Sequence, residues 1–436
     1  MVPSNVLIAI LLTATPLIAL GAYHPMLPLI AVGIMAGAVG AALLDCLHSR
    51  ARDELEASRQ VREILSLGLG EEVIVHVANR SGRTLRLQVK DDPPQTFATT
   101  DRMRSLTLAP HERSAVRYRV TPGERGDHEF GAIHLRGLSR LRLCWWQRRI
   151  EAQETVKVYP NLRQLHKFDA LARRGRLEDM GMRAARPRGE GTEFESLREY
   201  VPDDDFRSID WKATARRGAP ITRQYQIERN QTILLLIDSG RMMAARSGDL
   251  ARIDHAINAA LMLAHVATRM GDTVGMLSFS DRVKSFVAPS RAAGQAERIL
   301  HDLYDLRAEL VEPDFRGAVT FLRARARKRA LVCAFTDLVD PDVSERALTY
   351  IPSLRPRHLP MVVTMDDPEI GRLADAEPAA PGEAYEKALA QRTMGERSRA
   401  LAELRSRGVV VSDAGPEDLT ASVISDYLAI KRAGLL

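Results

Sequence analysis

The spacing of apolar and polar positions divides the chain into regions that predict different secondary structure. No charged side chain precedes Asp45, so the first region is roughly twice the ~20 apolar residues that one membrane-spanning helix needs. Gly21 and Pro25 supply turn chemistry near its middle. The pattern therefore predicts a two-helix transmembrane hairpin over residues 1–48, with spans near Val6–Ala22 and Met26–Leu44.

Basic residues follow the second predicted span closely, at positions 50, 52, 59 and 62. Because cytoplasmic loops next to membrane helices are rich in Lys and Arg, we expect the chain after the hairpin to be cytoplasmic. A helical hairpin buried inside a soluble core is the alternative, but runs this long without charge are rare in soluble cores.

The second region begins with a charged segment, residues 49–65, that predicts a cytoplasmic connecting helix. Short alternating runs follow, separated by turn-forming residues, and they include EEVIVHVAN, LRLQVKD, SAVRYRVTP and ETVKVYP. Regularly spaced short strands of this kind are typical of a sandwich. We expect a small antiparallel β-sandwich domain at residues 66–160, with either Trp145 or Trp146 in its core, because neighbouring strand residues face opposite ways.

The last region, residues 231–436, alternates strongly apolar strands with amphipathic helices. The strands include QTILLLIDS, DTVGMLSFSD, RALVCAFTDL, HLPMVVTMDD and GVVVSDAG. This alternation predicts a doubly wound α/β domain with a mainly parallel sheet, and the segment VKSFVAPS predicts an antiparallel edge strand. Asp238 and Asp337 each end a strand, so we expect them to lie near each other at the carboxyl edge of the sheet.

Composition narrows the function classes. The 62 basic residues stand against 56 acidic ones, giving a net charge of +6 on a mixed surface. We therefore expect no nucleic-acid partner, although a basic peripheral binder of lipid or nucleic acid stays an alternative. The three cysteines are far apart, which argues against a disulfide framework or a zinc site.

Residues 161–230 connect the two soluble domains and contain the stretch GTEFESLREYVPDDDFRSIDWKATARRG. This stretch resembles the hallmark segment of the bacterial family called domain of unknown function 58, with a departure at Asp203, where the family commonly has Gly. The matching residues are Arg198, Glu199, Tyr200, Asp204, Asp205, Arg207, Asp210, Trp211, Lys212, Ala215 and Arg216.

The resemblance implies two membrane helices, a β domain and a C-terminal domain similar to von Willebrand factor type A domains. Such domains often bind Mg²⁺ through an Asp-x-Ser-x-Ser motif, a Thr and a second Asp. Here the serine positions are Gly240 and Met242, and Pro313 occupies the Thr position. Only Asp238 and Asp337 remain of the ligand set, so we expect a degenerate site, no metal and no other cofactor.

Three interpretations of the hallmark stretch stay open. Its alternating charges fit a buried ionic hub between the domains, with Tyr200 and Trp211 as apolar anchors. Its Arg, Tyr and Trp residues also fit a docking surface for a protein partner. A metal-dependent hydrolase would instead use the acidic cluster Asp203–Asp210. The chain has no phosphate-binding loop, zinc-protease motif or nucleophile elbow, so an enzyme is not expected.

The apolar N-terminus and the lack of enzyme motifs predict a non-enzymatic, multi-pass membrane protein with its soluble domains in the cytoplasm, and the resemblance implies an adaptor or assembly role at the bacterial inner membrane. The resemblance implies a MoxR-type AAA+ ATPase as partner, together with other membrane or envelope proteins. The client and the oligomeric state are left open.

Overall fold

The structure is a computed structural model that describes most of the chain. It covers residues 2–20, 23, 26–47, 54–100, 103–160, 193–201, 206, 209–226 and 231–435. Two compact units are present, Met1–Tyr159 and Pro160–Leu436.

The first unit begins with two apolar helices, α1 (Asn5–Ala19) and α2 (Met26–Leu47), which pack against each other. Within α2, the segment Met26–Asp45 has a mean hydropathy of 2.3 and is long enough to cross a membrane. At 15 residues, α1 is apolar but shorter than a typical span. By length and composition, α2 is therefore the one helix of the described residues that could span a bilayer.

The rest of the first unit consists of short strands. Their bounds are β1 Val2–Pro3, β2 Leu55–Gln60, β3 Ile64–Ser66, β4 Glu71–Asn79, β5 Leu85–Lys90, β6 Phe97–Thr99, β7 Met103–Leu108, β8 Arg113–Pro122, β9 Gly126–Phe130, β10 Ile133–Leu138, β11 Cys144–Ile150 and β12 Glu154–Tyr159. They pair in the orders β1-β11-β10-β5-β7, β2-β4-β8-β6 and β3-β12-β9. All these pairings are antiparallel except β3 with β12, which is parallel.

Side-chain periodicity explains these strands. In β4, buried and more exposed residues alternate along the whole element, as expected of a strand with one face on a core. Trp146 is buried, whereas Trp145 is half-buried and carries the Arg136 guanidinium 4.5 Å from its ring centroid.

The predicted connecting helix at residues 49–65 is wrong. Its described part contains β2 and β3 instead, and β2 pairs with β4 along its full length. The segment alternates in exposure and pairs with β4 as an edge strand. The Arg59 guanidinium is buried and donates to Asp91 (2.9 Å from Nε) and to the backbone carbonyl of Gly131 (2.8 Å). A charge that looked like a solvated membrane-proximal arginine is therefore part of the core of this unit.

The second unit begins with a hairpin formed by β13 (Glu193–Glu199) and β14 (Ile221–Gln226), which enclose the short helix α3 (Trp211–Arg217). The remaining strands are β15 Thr232–Asp238, β16 Arg246–Ser247, β17 Leu250–Ala251, β18 Thr273–Phe279, β19 Val283–Ser290, β20 Leu331–Phe335, β21 Leu359–Met365 and β22 Val410–Ala414. The remaining helices are α4 Arg252–Arg269, α5 Gln295–Tyr304, α6 Phe315–Arg325, α7 Pro341–Tyr350, α8 Pro368–Asp375, α9 Pro381–Ser406 and α10 Leu419–Arg432.

A mixed sheet forms the centre of this unit, with strand order β19-β18-β15-β20-β21-β22. All neighbours are parallel except β18 and β19, so the predicted antiparallel edge strand is present. One sheet face packs against α4, α5 and α10, and the other packs against α6, α7 and α9. Because both faces are covered, β15 and β20 are apolar and buried almost throughout.

Candidate functional site

The carboxyl edge of the central sheet gathers acidic side chains. Asp238 ends β15 and is only 1% exposed. Its carboxylate accepts a hydrogen bond from the Thr336 hydroxyl (2.6 Å) and another from the Gly240 backbone N–H (2.7 Å). Burial raises the pKa of Asp238 from 3.8 to about 6, although these two hydrogen bonds act to lower it.

Arg252, the first residue of α4, supplies a buried cation at this edge. Its guanidinium donates from Nη1 to Asp337, and from Nη2 to Asp367 over 2.6 Å. The side chains of Arg252 and Asp337 are only 4% and 2% exposed. Asp337 follows β20 and Asp367 follows β21, so one guanidinium links the ends of two neighbouring strands.

Close packing accounts for the glycine in the degenerate metal motif. A Cβ at Gly240 would lie 3.0 Å from the Pro313 ring and 3.1 Å from the Val311 carbonyl oxygen. A serine at this position would therefore fit only if the loop that carries Pro313 moved by a few tenths of an ångström.

A second ionic cluster lies on the same edge, on the short 3₁₀ helix Arg241–Ala244. The Arg241 guanidinium donates to Glu312 (2.5 Å) and to Asp340 (2.8 Å). Arg241 is thus distinct from the Asp238 and Asp337 contacts, because Asp337 pairs with Arg252 and Asp238 accepts from Thr336 and Gly240.

The sheet edge fits a guanidinium better than a magnesium ion. Gly240 and Pro313 supply no side-chain oxygen, and the Arg252 cation is already paired with Asp337. Within the described ranges, no group of three or more His, Cys, Asp or Glu side chains is arranged to hold a metal. The edge therefore carries a charge-paired network in which an arginine holds the carboxylates together.

The hallmark stretch is described in part. Asp203, Asp204, Asp205 and Arg207 lie outside the described residues, and Arg198 is described only as a backbone position of β13, opposite Thr222. Glu199 ends β13, and the backbone N–H of Tyr200 donates to the Pro220 carbonyl. Lys212 and Arg216 lie on α3 and are exposed.

Asp210 forms the N-cap of α3. Its carboxylate accepts from the backbone N–H groups of Lys212 and Ala213, each at 3.0 Å, and Gly218 closes the helix with φ +72°. Both devices are the ordinary ones for starting and ending a helix. Asp210 is therefore engaged in positioning α3.

Two aromatic side chains project from this capped turn. Phe206 and Trp211 meet edge to face with ring centroids 5.5 Å apart, yet they are 66% and 61% exposed. The hub interpretation makes Trp211 a buried apolar anchor, whereas its ring is exposed among the described residues.

Sequence reasoning missed Arg252 and Asp367. Asp367 could have been recognised as a site residue from the sequence, because it follows an apolar strand as Asp337 does. The sequence gives no indication that Arg252 belongs to the site, since an arginine at the start of an amphipathic helix usually faces solvent.

Two relatives share part of this sequence. The uncharacterized protein YeaD of Bacillus subtilis is 28% identical over 137 residues, which is 31% of this chain and 31% of that protein. The uncharacterized protein Rv1480 of Mycobacterium tuberculosis is 26% identical over 190 residues, 43% of this chain and 59% of its own length. The matches therefore span less than two thirds of these relatives.

Among solved structures, a CARDB domain from Pyrococcus furiosus covers 24% of this chain and 91% of its own, with 18% identity and a TM-score of 0.19, too low to carry an argument. The family comparison is more specific. Residues 196–376, from the hallmark stretch to the end of α8, match the family described as "Protein of unknown function DUF58".

Proposed function

We propose that this chain is a membrane-anchored cytoplasmic adaptor or assembly protein that acts through protein–protein interaction. In this proposal α1 and α2 form a two-helix hairpin in the bacterial inner membrane. The second unit acts as a von Willebrand factor A-like domain, and a MoxR-type AAA+ ATPase is its partner.

The exposed aromatic pair Phe206–Trp211 carries the proposal. Large aromatic side chains are the usual energetic centres of protein interfaces, and leaving two of them in water is unfavourable unless a partner covers them. Asp210 fixes the start of α3, so Trp211 is held in a defined position before any partner binds. Pre-ordering of this kind lowers the entropic cost of association. Basic side chains on the same helix, including Lys212 and Arg216, favour an acidic partner surface.

The sheet edge supports binding over catalysis. Arg252 pairs with Asp337 and Asp367, and Arg241 pairs with Glu312 and Asp340. One oxygen of Asp337, Oδ1, is buried without a hydrogen-bond partner in the described part of the chain. A carboxylate that is already paired with a buried guanidinium is a poor general base or metal ligand. The hydrolase alternative would use Asp210 as a metal ligand, but the Asp210 carboxylate already caps α3.

The test is recovery of the partner from native membranes with the full-length chain and a Trp211→Ala variant. Loss of a central interface tryptophan typically costs ~2 kcal/mol or more, so recovery of the AAA+ ATPase should fall by roughly 30-fold. Tyr385→Ala is the matched control, because Tyr385 is an aromatic residue 73% exposed on α9. If the Trp211→Ala and Tyr385→Ala variants recover equal amounts of the AAA+ ATPase, the aromatic pair is not part of the interface.

A further inference from the structure

Both ends of the apolar helix pair converge on one loop of the β unit. The Ser4 backbone N–H, just before α1, donates to the Leu143 carbonyl over 3.0 Å. The Asp45 carboxylate, near the end of α2, accepts the Leu141 backbone N–H at 3.1 Å to each oxygen. The Cys144 thiol also lies 3.6 Å from the Ala42 carbonyl oxygen. The loop between β10 and β11 is therefore fixed at the base of the helix pair.

An arginine-rich cleft opens beside this loop. Its volume is about 420 Å³, and its lining includes Arg83, Arg86, Arg140, Arg142 and the buried ring of Trp146. Within the part of the chain that the structure describes, none of these four guanidinium groups has a hydrogen-bond or ion-pair partner. All four side chains are exposed, and together they give the mouth of the cleft a positive charge that favours binding of an anion.

We propose that this cleft binds the headgroup phosphate of an anionic phospholipid. The inference rests on the proposed function in one respect, namely that α2 spans a membrane. If α2 spans, then Asp45 and the loop it holds lie at the bilayer surface, and the cleft opens at headgroup level. Arginine suits this ligand because its planar fork contacts phosphate oxygens in pairs.

The surroundings of the cleft favour a lipid over a free phosphate ion. Leu141, at the tip of the loop, is 60% exposed. An apolar tip beside a cationic cleft matches a ligand that has both an acyl chain and a charged headgroup.

The experiment titrates soluble short-chain phosphatidylglycerol into the full-length chain in neutral detergent, with phosphatidylcholine and inorganic phosphate as comparison ligands. The site variant is Arg83→Gln combined with Arg140→Gln, which avoids Arg142 and its φ of +58°. The control is Arg113→Gln combined with Arg117→Gln, two exposed arginines on β8, in another sheet. Each arginine at an anionic surface contributes about a fivefold gain in affinity, so the site variant should bind phosphatidylglycerol roughly 25-fold more weakly.

Support requires that the control variant binds like the parent and that neither phosphatidylcholine nor inorganic phosphate competes. The proposal is overturned if both double variants bind equally, if inorganic phosphate competes as well as the lipid, or if a duplex oligonucleotide binds more tightly than the lipid. Membrane fractionation of the same full-length chain keeps the two ideas separate. A chain found in the cytosolic fraction without detergent refutes the anchor, whereas a membrane-bound chain without headgroup preference refutes only the lipid site.

Discussion

At the scale of single residues, Arg252 is expected to matter most for the stability of the second unit. Arg252→Met would leave Asp337 buried without its cation, and removing one partner of a buried ion pair costs ~3–5 kcal/mol. Hydrogen exchange of the β15 and β20 amides in the full-length chain measures that loss. Arg316→Met, at an exposed arginine on α6, is the control and should change the same amides by less than ~0.5 kcal/mol.

The same residue decides the response to divalent cations. Millimolar Mg²⁺ should leave the melting temperature of the parent almost unchanged, because Arg252 already neutralises Asp337. A ligand stabilises the fold appreciably only when its free concentration exceeds its Kd. Protection of the parent by several degrees, abolished by Asp238→Ala or Asp337→Ala, would restore the metal interpretation of this sheet edge.

The raised pKa of Asp238 predicts that its contribution to the free energy of unfolding changes with pH in the opposite direction from that of a salt-bridged carboxylate. Its pKa rises from 3.8 to about 6 on folding, so the native state binds the proton more tightly than the unfolded state. This group therefore destabilises the fold by ~3 kcal/mol above about pH 6, and the loss disappears as the pH falls toward about 4. Asp238→Asn should be more stable than the parent at neutral pH and equal to it at about pH 4. Parallel unfolding curves across this range would contradict the assignment.

At the scale of elements, α3 tests whether the hallmark stretch is a capped helix or an ionic hub. Asp210→Ala should cost ~1 kcal/mol, as loss of an N-cap does, rather than the ~3–5 kcal/mol expected from a buried ionic network. Faster exchange of the Lys212 and Ala213 amides reports the loss. Asp210→Ser keeps a capping oxygen without the charge and should restore protection. Failure of this serine variant to do so would favour the hub.

For the whole molecule, we expect the full-length chain in the membrane fraction and a reporter fused at Leu436 to behave as cytoplasmic. The length and apolarity of α2 predict the membrane association, and the basic residues that follow the hairpin predict the orientation. Deleting residues 1–48 should give a soluble protein, but the loop that contains Leu141 would lose its contact with Asp45 and exchange faster. Reporter activity in the periplasm would overturn the orientation.

Local periodicity determined much of the architecture from sequence alone. The alternation along the nine residues of β4 indicates a strand with one covered face. The uniform apolarity along the seven residues of β15 indicates a strand with both faces covered. The apolarity of α2 is equally local. The hallmark stretch from Gly191 resembles the same family whose match covers residues 196–376, and a long motif of this kind is readable without coordinates.

Only the tertiary structure decided which charges are buried. Arg59 and Arg252 look like ordinary solvated arginines in sequence, and the first helped to suggest a helix where β2 lies. Each is buried because its carboxylate partner comes from a distant part of the chain, 32 residues away for Asp91 and 85 for Asp337. Burying a charge is favourable only when such a partner is in place. Sequence periodicity reports how a residue faces its own element, whereas ion pairing depends on which elements the fold brings together.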